Sequence, residues 1–158
     1  MVPLLFIATQ MIVIPLPDIV ATQAFATRIA AHLRQGDVLA LEGTLGVGKT
    51  TLARALLRAL GHEGEVPSPS FTIIETYDPP AVRLPVVHAD FYRLEDPAEA
   101  EEIGLDDYRQ GAVLIAEWPD HAGGFGHEDN CLTLRLEIAE NGRRAIVLPG
   151  RGWLERLP

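Results

Sequence analysis

The chain has 158 residues, 47% of them hydrophobic and 22% charged, with a formal net charge of −9 and an isoelectric point near 4.9. That length fits one domain with a sizeable core, and the acidic balance argues against a protein that grips nucleic acid unaided, because phosphate contacts need clustered Lys and Arg. A single cysteine, Cys131, excludes an internal disulfide and a cysteine-built metal cluster, and it fits a reducing cytosol.

Residues 1–10 contain the apolar run Val2–Ala8, which is too short to span a bilayer and lacks the basic start of a signal peptide. They read as an extension or loose tail, with Met11 as the expected start and residues 11–158 as one domain. Ile12-Val13-Ile14 reads as a strand. Asp18 is a helix cap, and Phe25, Ile29 and Leu33 recur every four residues on one face, so a helix is expected from Asp18 to about Gln35, ended by Gly36. Asp37 to Glu42 is the next strand. A helix from Lys49 to Leu60 follows, stopped by Gly61.

Between that strand and helix lies Gly43-Thr44-Leu45-Gly46-Val47-Gly48-Lys49-Thr50, followed by Thr51. It matches the pattern of Gly, four residues, Gly, Lys, then Ser or Thr, in the strand–loop–helix context that the pattern requires. Backbone N–H groups of such a loop point inward at a phosphate, and the helix N-terminus adds partial positive charge. Lys49 is expected to reach the β- and γ-phosphates, and the Thr50 hydroxyl to ligate Mg²⁺. An ordinary glycine-rich turn is the competing interpretation.

Residues 61–70 form a Gly/Pro/Ser loop that ends in Ser68-Pro69-Ser70. Phe71–Tyr77 and Leu84–Ala89 are β-rich and separated by a turn at Asp78-Pro79-Pro80, which suggests a hairpin. Asp96-Pro97-Ala98-Glu99 opens a helix that ends near Gly104. Ala112–Ala116 is a continuous apolar run, the mark of a strand buried on both faces. Cys131–Ile138 and Arg143–Leu148 read as a late hairpin turning at Asn141-Gly142, and Trp153–Leu157 as a short terminal helix. Together these elements predict an α/β fold of the P-loop NTPase type: a three-layer architecture with a mostly parallel central sheet, antiparallel edge strands and the late hairpin. The nucleotide is then expected at the carboxyl ends of the parallel strands.

Hydrolysis needs a carboxylate for Mg²⁺ and a group that orients water. Two acids follow apolar strands. Glu117 ends Val113-Leu114-Ile115-Ala116, the form of a Walker B element, and Asp90 ends Pro85-Val86-Val87-His88-Ala89. Glu117 reads as Mg²⁺ partner and candidate base, and Asp90 as the group that orients water or the outer shell of the metal. The two roles are interchangeable at this stage. Ser68 and Ser70 lie where a switch loop would sense γ-phosphate and Mg²⁺, although a plain Pro/Ser turn accounts for the same spacing. His88 reads as a strand histidine satisfied in the core rather than as a catalyst. Trp118 fits either the core or the flank of the nucleotide. Arg143 fits either a nucleotide contact or a charged turn flank.

Gly43–Thr50, Ser68-Pro69-Ser70-Phe71, His88-Ala89-Asp90-Phe91-Tyr92-Arg93-Leu94 and Glu117-Trp118-Pro119 occur in order, and with them the chain resembles the TsaE (YjeE) family over about residues 12–150. The phosphate loop is generic; the other segments together are specific. The resemblance implies binding and hydrolysis of ATP to ADP with Mg²⁺, with Thr50 and Glu117 near the metal and Asp90 essential to hydrolysis. It also implies Asp18 and Ile19 near the base and Gly142-Arg143 close to the nucleotide. The partner proteins it implies are TsaD and TsaB, in threonylcarbamoyl modification of adenosine in tRNA, with tRNA met only through that complex. Ser70 departs from the Thr usual in the family's switch segment; the hydroxyl survives and a methyl is lost. The residues alone also admit a small-molecule kinase or a nucleotide-dependent adaptor that does not hydrolyse. The chain has no Arg-rich insertion to form a kinase lid, and two strand-end acids weigh against the adaptor.

Overall fold

The computed structural model describes residues 11–158; the expected tail, residues 1–10, lies outside the described residues. Seven strands form one sheet in the order β1-β7-β6-β2-β5-β4-β3. The strands are β1 (Ile12–Leu16), β2 (Val38–Glu42), β3 (Ile74–Tyr77), β4 (Val86–Asp90), β5 (Val113–Glu117), β6 (Cys131–Ala139) and β7 (Gly142–Pro149). β6, β2, β5 and β4 are mutually parallel, β7 on one side and β3 on the other run opposite to them, and β1 pairs antiparallel with β7 at the outer edge. The expected parallel centre with antiparallel edges is therefore present, and the Phe71–Ala89 region forms the expected hairpin with shorter strands.

The central strands are apolar on both faces because helices cover both. Leu39, Leu41, Val113 and Ile115 face α1 (Ile19–His32) and α2 (Lys49–Ala59). Their alternate neighbours Val38, Ala40, Leu114 and Ala116 share a core with Ala100 of α3 (Ala98–Glu102), Leu105 of α4 (Leu105–Arg109) and Phe125. A strand buried on both faces cannot alternate apolar with polar, which is why β5 reads as one continuous run.

Several boundaries differ from expectation. α1 stops at His32, three residues short of Gln35. Here the Asp37 carboxylate accepts the Arg34 N–H (2.7 Å), and an Arg156 guanidinium N–H takes the His32 carbonyl (2.7 Å), so side chains replace the last helical turn. Asp96 accepts from the Ala98 N–H (2.9 Å) at the start of α3, and Glu99 reaches back to Glu95 (3.3 Å). α4 was not foreseen; Gly104, at φ +81°, separates it from α3. The late hairpin turns at Glu140-Asn141 rather than Asn141-Gly142, and Gly142 already pairs with Ala139. Gly142 serves a different need: with φ +94°, a Cβ there would lie 2.5 Å from the Pro17 carbonyl oxygen, so only glycine lets the hairpin approach the start of α1. The terminal helix is a 3₁₀ turn at Arg151–Trp153 rather than Trp153–Leu157.

Candidate functional site

β2 ends at Glu42 and α2 begins at Lys49, so the glycine-rich segment Gly43–Gly48 rises from the carboxyl edge of the parallel strands. It is tightly folded. Gly43 has φ +140°, and a Cβ on it would meet the Val47 side chain at 2.7 Å and the Leu136 carbonyl oxygen at 2.8 Å. Val47 is buried in the core and anchors the loop. Lys49 Nζ donates to the carbonyls of Gly43 (2.5 Å) and Thr44 (3.0 Å) and stands 4.0 Å from the centroid of the Trp118 ring. Burial pushes the Lys49 ammonium below the usual lysine range, against the opposing pull of Glu117, Asp90 and Asp120.

Asp90 and Glu117 are register partners at the carboxyl ends of β4 and β5, and they face the same side of the sheet, beneath the first turn of α2. Glu117 is held at both oxygens. Its Oε1 accepts from the Thr50 hydroxyl at 2.8 Å, and its Oε2 meets His88 Nε2 at 2.6 Å. His88 is fully buried, and its Nδ1 has no hydrogen-bond partner. An unmet buried nitrogen costs about 1–3 kcal/mol. Asp90 accepts the backbone N–H of Tyr92 at 3.0 Å. Burial raises its carboxyl above the usual aspartate range; Glu117 adds to the rise, and the Tyr92 N–H, His88 and Lys49 oppose it.

These groups open into a cavity of about 340 Å³ lined by Leu45, Gly46, Gly48, Lys49, Thr50, Thr51, Ser68, Ser70, Asp90, Tyr92, Glu117 and Trp118. A second cavity of about 190 Å³ continues from it on the far side of the loop, sharing Gly46, Gly48 and Thr51 and adding Asp18, Ile19, Thr22 and Arg143. Asp18 caps α1 through its Oδ1 (Ala21 N–H, 2.8 Å), and the Arg143 side chain lies against Gly48. The expected residues thus fall into two adjoining cavities. Gly43, Thr44 and Val47 are the exceptions: Val47 is buried in the core, and Gly43 and Thr44 line a larger groove of about 750 Å³ with Asp120, Phe125 and Arg135, while their carbonyls hold Lys49. The groove is larger but holds neither Lys49, Thr50 nor the acid pair, so the smaller cavities are the candidate site.

Among the described residues, Ile73 (φ +68°) and Trp118 (φ +53°) alone have positive φ without being glycine. Ile73 closes the turn that carries Ser70, bonded through its N–H to the Pro69 carbonyl (2.7 Å), and Trp118 directly follows Glu117. Backbone strain of this kind costs about 1–3 kcal/mol per residue and is held in place by surrounding structure. Tyr92, Trp118 and His121 pack together at ring separations of 5.0 to 6.0 Å, and the His121 ring is fixed by the Tyr92 carbonyl at 2.9 Å.

His88 and Thr22 reach the site without having been singled out as functional. The signal for His88 was its period-2 spacing from Asp90, which puts both on one strand face. For Thr22 it was the four-residue spacing from Asp18 on one helix face. Leu136, which also lines the second cavity, carried no such signal.

Oxygen donors suit a hard cation such as Mg²⁺. Among the described residues no group of three or more His, Cys, Asp or Glu forms a metal cage. Mg²⁺ does not require one, because it is held by one or two carboxylates and a hydroxyl together with phosphate oxygens and water. Thr50, Glu117 and Asp90 fit that donor set.

Fold and site together define a mixed α/β protein whose glycine-rich loop joins a central strand to a helix over a buried acid pair. The family model for the threonylcarbamoyl adenosine biosynthesis protein TsaE matches residues 16–146, and the chain belongs to that family. It is 47% identical over 98 residues to the tRNA threonylcarbamoyladenosine biosynthesis protein TsaE of Bacillus subtilis, a match covering 61% of this chain and 60% of that relative. The protein of the same name from Haemophilus influenzae is 34% identical over 118 residues, 74% of this chain and 73% of the relative. The crystal structure of Bacillus subtilis YdiB superposes with a TM-score of 0.70 at 31% identity, covering 94% of this chain and 90% of that one.

Proposed function

We propose that the chain is a P-loop ATPase that binds ATP with Mg²⁺ and hydrolyses it in support of threonylcarbamoyl modification of adenosine in tRNA, acting in the cytoplasm with TsaD and TsaB. The observation that carries this reading is the convergence of Lys49, Thr50, Asp90 and Glu117 on one cavity beside the glycine-rich loop. The loop's N–H groups and Lys49 bind the phosphates, and Lys49 leaves its own loop carbonyls to do so. Mg²⁺, when bound by Thr50 and Glu117, neutralises charge on the phosphate oxygens. Asp90 accepts from the attacking water and orients it, and burial, which raises its carboxyl above the usual aspartate range, makes it a stronger base than an exposed aspartate. The second cavity, with Asp18, Ile19 and Arg143, takes the nucleoside.

The test is phosphate release from ATP with no acceptor added, measured alone and with TsaD and TsaB. Release is expected only with Mg²⁺ and is expected to rise with the partners. Glu117→Gln should keep ATP binding and lose about a hundredfold or more in rate. Absence of ATP binding, or a rate indifferent to Mg²⁺ and to Glu117→Gln, overturns the reading. Transfer to an added hydroxyl compound without phosphate release would make the protein a kinase instead.

A further inference from the structure

We propose that His88 is a positioning residue for the metal: its ring fixes the Glu117 carboxylate and, through it, the direction of the Thr50 oxygen. This rests on the nucleotide reading above. A carboxylate only accepts, so the 2.6 Å contact places a ring proton on His88 Nε2 and commits Glu117 Oε2 to the floor of the sheet. Oε1 is then the oxygen left to face the cavity, and it accepts the Thr50 proton at 2.8 Å. A hydroxyl whose proton is directed at Glu117 turns its lone pairs away from Glu117, toward the cavity where the phosphates and metal sit. Three groups from β4, β5 and α2 thus form one chain, His88 to Glu117 to Thr50, running from the fully buried sheet interior to the cavity wall.

The other ring nitrogen supports the assignment. Nδ1 is buried and unpartnered, and the register partners of His88 on its two neighbouring strands are Ile115 and Glu75. An apolar side chain at this position would fill the space without leaving a polar atom unmet. The fold carries that penalty while the opposite nitrogen makes a short bond to the acid beneath Thr50. Orientation of a ligating carboxylate by a buried donor is the usual way that groups outside the coordination sphere tune a metal site.

Two substitutions separate this role from filling space. In His88→Gln the amide nitrogen takes the place of Nε2, whereas in His88→Asn it takes the place of Nδ1 and cannot reach Glu117. Mn²⁺ is titrated into the full chain with a non-hydrolysable ATP analogue, and bound metal is read by electron paramagnetic resonance beside the melting temperature of each variant. His88→Asn is expected to weaken Mn²⁺ uptake about tenfold or more, and His88→Gln to recover it to within about threefold. An Asn variant with wild-type uptake, or a Gln variant as weak as the Asn variant, overturns the role of His88. Failure of the wild-type chain to take up analogue or Mn²⁺ overturns the nucleotide reading, and this one with it. Should the Asn variant not fold, the ¹⁵N spectrum of the wild-type imidazoles decides. A His88 proton on Nε2 that Glu117→Gln releases to exchange supports the chain, and a ring protonated on Nδ1 alone refutes it.

Discussion

Two buried ionic clusters sit near opposite ends of the sheet's middle, and they are built to different rules. At the amino end of β2, Arg156 donates to both Asp37 oxygens (2.7 and 2.8 Å), to the carbonyls of His32 (2.7 Å) and Gly152 (2.9 Å), and covers the Trp153 ring at 4.1 Å from its centroid. Both side chains are buried, and neither lines the cavities of the candidate site. At the carboxyl end, Lys49 is bound to carbonyls of its own loop, Asp90 holds its proton more tightly than usual, and one His88 nitrogen has no partner. That cluster opens on a cavity, with strained backbone at Ile73 and Trp118 beside it. A closed network pins the C-terminal segment to α1 and β2. An incompletely satisfied one is what a site looks like when its remaining partners are to arrive with a ligand.

The comparison breaks most visibly if each cluster is cut in turn. Lys49→Ala removes the ammonium that would pair with phosphate. Losing charge-assisted bonds worth about 3 kcal/mol should weaken ATP binding by roughly a hundredfold, with the melting temperature changed by only a few degrees. Isothermal titration checks the first and calorimetric melting the second. Tight ATP binding by this variant would remove the phosphate-loop assignment.

Arg156→Ala should do the reverse. It leaves Asp37 as an uncompensated buried charge, a loss of about 3–5 kcal/mol, or roughly 10 °C in melting temperature for a chain of this size. The variant that remains folded should bind ATP as the wild type does. An ATP affinity that falls along with stability would mean that the two ends of β2 are coupled and that the contrast drawn between them is wrong.

Much of the carboxyl-end cluster was legible in the sequence because its parts follow local rules. Gly43 to Thr50 is a contiguous pattern, and Asp90 and Glu117 each terminate an apolar run that has to be a buried strand. The contacts between them were not legible, because they depend on register. That Asp90 faces Glu117, and that His88 points under Thr50, follows only once β4 lies beside β5. The Arg156–Asp37 pair was invisible for the same reason: 119 residues separate the partners, and neither sits in a motif. Asp18 came into the site through family resemblance alone and Arg143 as one of two readings of a charged turn flank, and the close approach of Gly142 to Pro17 is the local geometry that brings their two segments together. The misplaced helix end at Gln35 has a similar origin, since Gly36 is a valid stop signal and a side chain from the far C-terminus supersedes it.

The smallest effect sharpens the contrast furthest, because it has the opposite sign from most changes at buried residues. Burial holds the Asp90 carboxyl above its ordinary value, so the folded chain keeps a proton there to higher pH than the unfolded chain does. Between the ordinary and the raised value the native state binds more protons, and stability falls as pH rises through that window. Above it, the charged carboxylate is a standing cost to the metal-free, nucleotide-free protein. Asp90→Asn keeps the size and an acceptor for the Tyr92 N–H and removes the charge. It should raise the melting temperature at neutral pH by a few degrees while phosphate release falls, and the gain should disappear at pH values below the ordinary aspartate range. Melting curves of both proteins across that range, without divalent cation, measure it. A loss of stability at neutral pH would mean that Asp90 belongs with Asp37, as an ion held for the fold. A gain confined to neutral pH would place it with groups whose cost is borne for the site.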